Sequence, residues 1–535
     1  MKNKSKALVG LLIGMSLVLS ACGSGTGQGE GGAGGPAGGS QSEQTGGSQS
    51  VSTSSGKTSV VVACSAEPDY FYPHSSETTT SMDEVPILQN VYETLVKMEA
   101  DGSYSPLLAE DWEISDDGTE YTFHLRDDVY FHDGNQMTAE DVAVSINLAP
   151  SHSAYFVNFV SCDVVDEKTV KVVLSAPYAP FMNVICSRDG IIIEKAYLDQ
   201  VGENGYSDNP VGTGPYKFVE RVSGDHISLT VNENYWGGEP PIKEVLYKII
   251  TDTNSQMVAL ENGDIDVLIQ ANISSLVKLD SDQVKWDKCD ASSIMAILLN
   301  CKQGPAADIN FRKALQCGIN KEEVNIGVYE GTATVGDIPI APKFTACPEP
   351  GTYDTVAFDA DKAKEYLAAS GYNGEEFEII TVAGSRHEMA AQVVQGQLIN
   401  LGINCVVTAV DASSYFAKSK AGDFDASMRA GGISILDADG LNSTYNADFT
   451  MNVSKNADTG LWNDDLIAAI IEGRSTVDET ARKEAYVKAC NLITENVYSV
   501  TLYYDVNAVA YNADIQGVVP NQLTGLYYFN DWSWK

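Results

Sequence analysis

Residues 107–149 read LLAEDWEISDDGTEYTFHLRDDVYFHDGNQMTAEDVAVSINLA, and they carry more structural information than any other stretch of the chain. The Asp-Asp-Gly turn signal at 116–118 separates two runs of extended character, which predicts a β-hairpin. In the second run Tyr121, Phe123 and Leu125 alternate with polar residues, as in a strand that is buried on one face. Thr138 and Asp141 then predict the start of a helix, because a hydroxyl can cap first-turn amides and an acid favours the positive end of the helix dipole.

Outside this stretch, strand and helix patterns continue to alternate. Short apolar or alternating runs predict strands at 59–64, 211–220, 226–236 and 403–410. Apolar residues at helical spacing predict helices at 85–98, 310–318, 360–370, 386–401 and 480–495. Asp359 is placed to cap one helix, and Gly371 and Gly402 follow the ends of two. The body of the protein is therefore predicted to be mixed α/β, without a short internal repeat.

The N-terminus has the features of an export signal. Lys2, Lys4 and Lys6 precede an apolar run to residue 19 that is shorter than the roughly 20 residues a membrane-spanning helix needs. The sequence Leu-Ser-Ala-Cys at 19–22 resembles the bacterial lipoprotein box, which implies removal of residues 1–21 and acylation of Cys22. A plain secretory signal with an incidental cysteine is the alternative.

Residues 22–57 follow this box as a separate region. Between 23 and 57 there are 13 glycines and 8 serines with almost no apolar side chain, so the segment cannot bury enough surface to fold. We expect a flexible tether that holds the folded body away from the lipid. A G-x-G-x-x-G match at 27–32 has no flanking strand or helix and does not indicate a nucleotide site.

Charge and cysteine usage exclude several classes of protein. The formal net charge is −39, and such a surface repels phosphate backbones, so we expect no nucleic-acid partner. Besides Cys22 there are nine cysteines, scattered through apolar segments and without a C-x-x-C pair. We expect most of them to be buried thiols, with a Cys162–Cys186 disulfide as one open alternative.

The stretch at 107–149, which includes TAEDV at 138–142, closely resembles the signature of bacterial extracellular solute-binding proteins of ABC importers, family 5. Further segments agree in order: NVYETLVKMEADG from 90, GTGPYKF from 212, NENYWGG from 232, LENGDIDV from 260, NFRKALQCGINKEEV from 310 and FDADKAKEYLAASGY from 358. This class includes oligopeptide-, dipeptide- and nickel-binding proteins, and the likeness covers essentially all of residues 58–535.

The resemblance implies an α/β fold of the periplasmic-binding-protein type (type II, cluster C), with two lobes that close on a ligand by a hinge and an additional small α/β domain. It places lobe I at 58–95, 205–290 and 505–535, the additional domain at 96–204, and lobe II at 291–504. The hinge would lie where the chain crosses between the lobes, near Ala291 and Tyr504.

Candidate ligand-binding residues also follow from the resemblance. Arg429 matches an arginine that lies near the carboxylate end of a bound peptide, and a guanidinium is suited to bidentate carboxylate binding. In the segment FDASMRAGGISILDADGL the usual tryptophan is Gly432, and Ile435 occupies the position of the aspartate that holds a peptide amine. Asp437 or Asp439 could serve only if the loop slips.

Other parts of the expected cleft are less specific. Thr80, Ser81 and Met82 are expected on a loop that faces the ligand, and Tyr445 falls near a cleft loop where its ring could stack on a ligand. A strand-end surface position for Arg429, and core packing for most tyrosines, are the structural alternatives.

No metal or cofactor is indicated. The six histidines (74, 124, 132, 152, 226 and 387) have no ligand spacing, and His387 lacks the second histidine of H-E-x-x-H. Residues 437–442 begin like a calcium loop, but the remainder of that pattern is absent.

We therefore expect a monomeric substrate-binding lipoprotein on the extracytoplasmic face of a Gram-positive-type cell membrane. It would capture peptides or similar small solutes and deliver them to the membrane subunits of an ABC permease. The alternatives are an oligosaccharide, nickel or haem ligand on the same fold, or a secreted hydrolase, for which no G-x-S-x-G motif is found.

Overall fold

The computed structural model describes residues 56–68, 70–75, 83–99, 102–431, 435–446, 460 and 463–535. The predicted signal at 1–21, Cys22, most of the tether, Thr80, Ser81, Met82 and Gly432 lie outside these residues. Within the described residues no helix has the length and apolar character needed to cross a bilayer.

A mixed eleven-stranded sheet is the largest element of the described chain, with the order β15-β14-β16-β12-β17-β11-β1-β10-β9-β8 and β13 paired to β17. Its strands are β1 (Ser59–Cys64), β8 (Tyr216–Val222), β9 (His226–Val231), β10 (Glu244–Ile249), β11 (Val267–Leu268), β12 (Val284–Leu299), β13 (Thr334–Val335), β14 (Phe377–Val382), β15 (Cys405–Val410), β16 (Ala426–Gly431) and β17 (Ser499–Asn512). β1 pairs in parallel with β10 and β11, and β14 pairs in parallel with β15 and β16. The other pairs of this sheet are antiparallel.

Three smaller sheets accompany the main one. A four-stranded antiparallel sheet has the order β4-β5-β7-β6, and two-stranded sheets pair β2 with β3 and β18 with β19. Their strands are β2 (Val96–Met98), β3 (Tyr104–Pro106), β4 (Ala109–Ile114), β5 (Glu120–Leu125), β6 (Phe159–Asp166), β7 (Thr169–Leu174), β18 (Ile515–Gln516) and β19 (Ser533–Trp534).

Helices cover both faces of this framework. They are α1 (Val85–Val91), α2 (Ala139–Leu148), α3 (Phe181–Ile185), α4 (Lys195–Asp208), α5 (Thr253–Asn262), α6 (Ile273–Leu276), α7 (Ile309–Gly318), α8 (Lys321–Tyr329), α9 (Ala360–Ala369), α10 (Arg386–Leu401), α11 (Ala412–Ala421), α12 (Asn442–Tyr445), α13 (Asp464–Ser475) and α14 (Glu479–Asn496). The mixed α/β prediction is confirmed.

Local signals in the sequence place several of these elements. β4 and β5 form the predicted hairpin, and the apolar side chains of β5 are buried while its polar ones are not. Thr138 and Asp141 form a capping box at the start of α2, in which each side chain accepts a hydrogen bond from the backbone amide of the other residue. Gly402 ends α10 in the left-handed region, with a φ of 103°.

The predicted helix at 85–98 is shorter than its apolar spacing suggested. α1 ends at Val91, and residues from Val96 onward form a strand. Tertiary hydrogen bonds replace the helical ones, because the Val91 carbonyl accepts from the Gly214 amide and the Glu93 carbonyl accepts from the Ile192 amide. A Cβ atom on Gly214 would lie 2.6 Å from the Asn90 carbonyl oxygen, so this approach requires glycine. The predicted strand at 226–236 likewise ends at Val231, where a turn begins.

Motifs that are far apart in the sequence meet at the Glu93 side chain. Glu93 is buried and accepts hydrogen bonds from the Tyr235 hydroxyl at 2.8 Å and from the Trp236 indole at 3.1 Å. Burial raises the pKa of this carboxyl to about 7, although the two donors and Arg126 oppose the rise. Through these hydrogen bonds the buried Glu93 carboxyl links the NVYETLV segment, which begins at residue 90, to the NENYW segment, which begins at residue 232.

Glu93 gives a prediction for the pH dependence of stability. Its pKa is higher in the folded than in the unfolded chain, so its contribution to the free energy of unfolding is complete below about pH 4.5 and is lost as the pH rises through 7. Relative to Glu93→Gln, which does not titrate, the wild-type protein should lose about 3 kcal/mol between pH 4.5 and 8. Urea unfolding of both proteins across this range measures the difference, and a constant difference would contradict the buried carboxyl.

β12 and β17 are the longest strands of the main sheet, and they pair with each other from Val284 opposite Asn512 to Leu298 opposite Ser499. Their register breaks between Asp290 and Ile294, where β17 runs from Val506 to Tyr504. The Ser293 hydroxyl in this break donates to the Asp505 carboxylate. The irregularity falls at the two crossing segments for which a hinge is predicted.

The apolar core of the four-stranded sheet extends beyond the sheet itself. Its cluster includes Phe123 and Phe181, and it continues into Ile338, Ile340 and Leu441. The region 96–204 therefore packs against segments predicted for lobe II. The division into lobe I, an additional domain and lobe II stays a prediction.

Each of the nine described cysteines is a free thiol, Cys162 and Cys186 included. Burial raises the pKa of all nine, for example to about 12 for Cys162 and to about 11 for Cys289. At neutral pH these groups are therefore protonated thiols.

Candidate functional site

Arg429 projects from β16, the third strand from one edge of the main sheet, into a pocket. It lies on β16, opposite Ala296 of β12, and its neighbour Met428 points to the other face and is buried in the core. The Arg429 pocket has a cavity volume of about 30 Å³. It is lined by Ala296, Leu298, Pro339, Arg429, Ser443 and Tyr445, among others.

The guanidinium of Arg429 has no acidic partner. Its Nη1 atom is buried and has no hydrogen-bond partner, and no aspartate or glutamate of the described residues pairs with it. Burial lowers its pKa, and the neighbouring groups that oppose this effect are the hydroxyls of Tyr415, Tyr445 and Tyr155. A buried cation without a counter-ion is costly to the protein alone, and an anion bound in the pocket would remove that cost.

Tyr445 lies in the same pocket, at the end of α12. Its side chain is buried, and its hydroxyl shares a hydrogen bond of 2.7 Å with the Ser499 hydroxyl of β17. The structure thus brings together two of the residues predicted from the sequence, Arg429 and Tyr445. The ring is held rigidly and forms a wall of the Arg429 pocket.

Asp437 and Asp439 lie close to this pocket but do not line it. Asp437 accepts from Nη2 of Arg482 at 2.8 and 3.0 Å, and Asp439 accepts from Nε and Nη2 of Arg474 at 2.9 Å each. Both carboxylates are fully buried. The prediction that either could hold a ligand amine is therefore not supported, because both are already neutralised by arginine.

A larger cleft lies beside these ion pairs, formed by two adjoining pockets of about 90 and 540 Å³ that share Gly102 and Lys343. We call it the Lys343 cleft. Its walls come from all three predicted domains: Asn183 and Cys186 from the additional domain, Gln522 and Tyr528 from lobe I, and Lys343 and Ile435 from lobe II. A pocket between the predicted domains is where hinge closure would enclose a solute.

Backbone strain is concentrated in the two segments that form one side of this cleft. Lys343, Ala346 and Leu436 have positive φ angles of 67°, 59° and 39°, which residues with a Cβ atom rarely adopt. Hydrogen bonds hold the segments together, from the Thr345 amide to the Leu436 carbonyl and from the Ala438 amide to the Thr345 carbonyl. Strain of this kind is found most often at functional sites, where the surrounding structure stabilises it.

Sequence reasoning singled out Ile435, which lines this cleft, but it missed Lys343. Ile435 is buried and lines the cleft, as expected for the position that faces a ligand. Lys343 stands in a Pro-Lys-Phe run with no charge pattern, so only the fold shows its position. The nearby acids and amide at 437–442 hydrogen-bond within the protein, and the described residues contain no cluster of three or more metal-ligating side chains.

The chain is similar to known proteins in both sequence and fold. The sequence profile of the bacterial extracellular solute-binding proteins, family 5, matches residues 103–452. Heme-binding protein A of Haemophilus influenzae is 28% identical over 376 residues, which are 64% of this chain and 68% of that protein. The dipeptide-binding protein of Escherichia coli is 24% identical over 514 residues, 88% of this chain and 94% of that protein. A crystal structure of the ABC transporter substrate-binding protein CtaP from Listeria monocytogenes superimposes with a TM-score of 0.80 at 25% identity, over 89% of this chain and 99% of that one.

Proposed function

The chain belongs to family 5 of the bacterial extracellular solute-binding proteins, which serve ABC transporters, and on that premise we propose that it captures a small carboxylate-bearing solute for import. Short peptides are the first candidates. The dipeptide-binding relative supports a peptide, whereas the haem-binding relative shows that ligands differ within the family.

The observation that carries this proposal is the unpaired guanidinium of Arg429. A carboxylate can accept two parallel hydrogen bonds from a guanidinium, and charge-assisted bonds of this type are about twice as strong as neutral ones. In the Arg429 pocket such a bond would also satisfy the buried Nη1 atom. The ring of Tyr445 would form an apolar wall beside it.

We propose that the break in the β12–β17 ladder acts as the hinge for closure. A ligand that contacts walls from both lobes binds the closed arrangement better than the open one, and it shifts the population by that difference. The Lys343 cleft has walls from both predicted lobes, so it is the place where such differential contacts would form. Capture would then require no chemical step.

We also propose that acylated Cys22 and the Gly/Ser segment hold the protein at the extracytoplasmic face of the cell membrane, where the monomer delivers its solute to a permease. The lipoprotein-box sequence at 19–22 and the composition of 23–57 support this. Mass spectrometry of the N-terminal peptide tests it, since an unmodified Cys22 would contradict anchoring.

The named relatives are solute-binding proteins rather than enzymes, and we propose binding without turnover here as well. A calorimetric and thermal-shift screen tests the proposal with short peptides, C-terminally amidated peptides, oligosaccharides, nickel and haem. Carboxylate-bearing compounds should bind at micromolar affinity or tighter, and amidation should weaken binding. Binding of only uncharged compounds or metals, or consumption of any bound compound, would contradict it.

A further inference from the structure

Within the proposed function, on which this inference rests, we infer that the solute is an anion without a free ammonium group, such as an N-acylated peptide. The inference concerns which charged groups face the Arg429 pocket and the Lys343 cleft. A site selects a zwitterionic peptide only if it offers a counter-charge for both ends of the peptide. The described walls of this site offer a counter-charge for the carboxylate end alone.

The two acids closest to the site are saturated. Asp439 accepts from Arg474 through both oxygens and also from the Asn442 side-chain amide at 2.6 Å. Asp437 accepts from Arg482 and from the Asp439 backbone amide at 2.8 Å. Because both carboxylates are fully buried, a ligand ammonium could reach them only by displacing an arginine.

The other acidic side chains on the described walls already have hydrogen-bond or ion-pair partners, and they lie near solvent. Glu349 and Glu479 both lie within 3.5 Å of the Lys483 ammonium, and their side chains are 68% and 67% exposed. Glu99 accepts from the Ser105 hydroxyl at 2.5 Å and lies 4.0 Å from the Lys97 ammonium, and its side chain is 41% exposed. An exposed carboxylate that already has a cation beside it attracts a second one weakly.

The cations of the site have the opposite character. Arg429 has a buried nitrogen without a partner, and Lys343 makes no ion pair with any described residue. Ile435, an apolar side chain, lies on the wall of the Lys343 cleft. The described residues of the pocket and the cleft therefore attract negative charge and offer a desolvated ammonium group no unengaged carboxylate.

Native mass spectrometry with a mixed library tests the inference directly. An equimolar pool of tripeptides, half with free and half with acetylated N-termini and all with free carboxylates, is incubated with the full folded protein. The acetylated forms should be enriched at least about tenfold in the bound fraction. Equal or preferential binding of the free-amine forms would overturn this inference and leave the proposed function intact. Binding of neither form, while a non-carboxylate solute binds, would instead overturn the proposed function.

A designed carboxylate gives an independent test. Ile435→Asp should move the preference toward free-amine peptides by about tenfold relative to Ile435→Asn, which has the same shape without the charge. Because Ile435 is buried, Leu523→Asp and Leu523→Asn, at a partly exposed position on the same cleft, serve as a second pair. If, in both pairs, the folded Asp variant and the folded Asn variant had the same preference between free-amine and acetylated peptides, the absence of a carboxylate would not set selectivity. That result would contradict the inference.

Discussion

Replacing Arg429 by alanine should lower the affinity for a carboxylate-bearing solute by about 100-fold, which corresponds to nearly 3 kcal/mol. The loss is large because the guanidinium is the one described cation with a buried, unpartnered nitrogen in this pocket. Removing it leaves the ligand carboxylate desolvated and without a counter-ion. The free protein should not lose stability, since its own chain supplies no acidic partner for Arg429 among the described residues.

Isothermal titration of wild type, Arg429→Ala and Arg429→Lys measures this effect. Lysine keeps the charge but not the two-pronged geometry, so it should retain part of the affinity. Arg221→Ala is a matched control, because Arg221 pairs with Glu67 and lines neither the Arg429 pocket nor the Lys343 cleft. A loss of less than threefold in Arg429→Ala, with the control unchanged, would place the solute elsewhere.

Arg482→Met should lower the free energy of unfolding by about 3 to 5 kcal/mol, the cost of leaving one buried charge of an ion pair without its partner. Asp437 is fully buried and receives two hydrogen bonds from Arg482. Methionine fills much of the space of the arginine stem but supplies no donor. The double variant Asp437→Asn with Arg482→Met should recover a large part of the loss, because it removes the stranded charge.

Lys483→Met is the control for this second prediction. Lys483 follows Arg482 on α14 and pairs with Glu479, but its side chain is partly exposed, so its loss should cost about 1 kcal/mol or less. Urea denaturation of the four proteins gives the comparison. If Arg482→Met and Lys483→Met were equally stable, the Asp437–Arg482 pair would not organise the segment beside the cleft.

Local patterns were sufficient for elements that the chain stabilises over a few residues. The capping box of α2 and the glycine stop of α10 depend on neighbours within about four positions, and the hairpin of β4 and β5 pairs residues no more than 16 positions apart. The helix predicted at 85–98 failed for the opposite reason. Its last turns give up helical hydrogen bonds for contacts with residues 192 and 214, about 100 positions away or more.

The candidate site shows the same division. Arg429 could be proposed from its resemblance to a known segment, and its position in a pocket beside Tyr445 agrees with that. The state of Asp437 and Asp439 could not be predicted, because Arg482 and Arg474 lie 45 and 35 residues downstream and only the packing of α13 and α14 brings them near. Lys343 belongs to the cleft through a backbone with positive φ, which no glycine at 343, 346 or 436 signals in the sequence.

The nine free thiols have a practical and a biological consequence. A protonated, buried thiol is a poor nucleophile, so exchange with small disulfides such as oxidised glutathione is slow at neutral pH. Maturation of the described body therefore needs no oxidase or disulfide isomerase. The same native state should form in a reducing cytosol and in an oxidising medium, and recombinant protein from either source should be interchangeable.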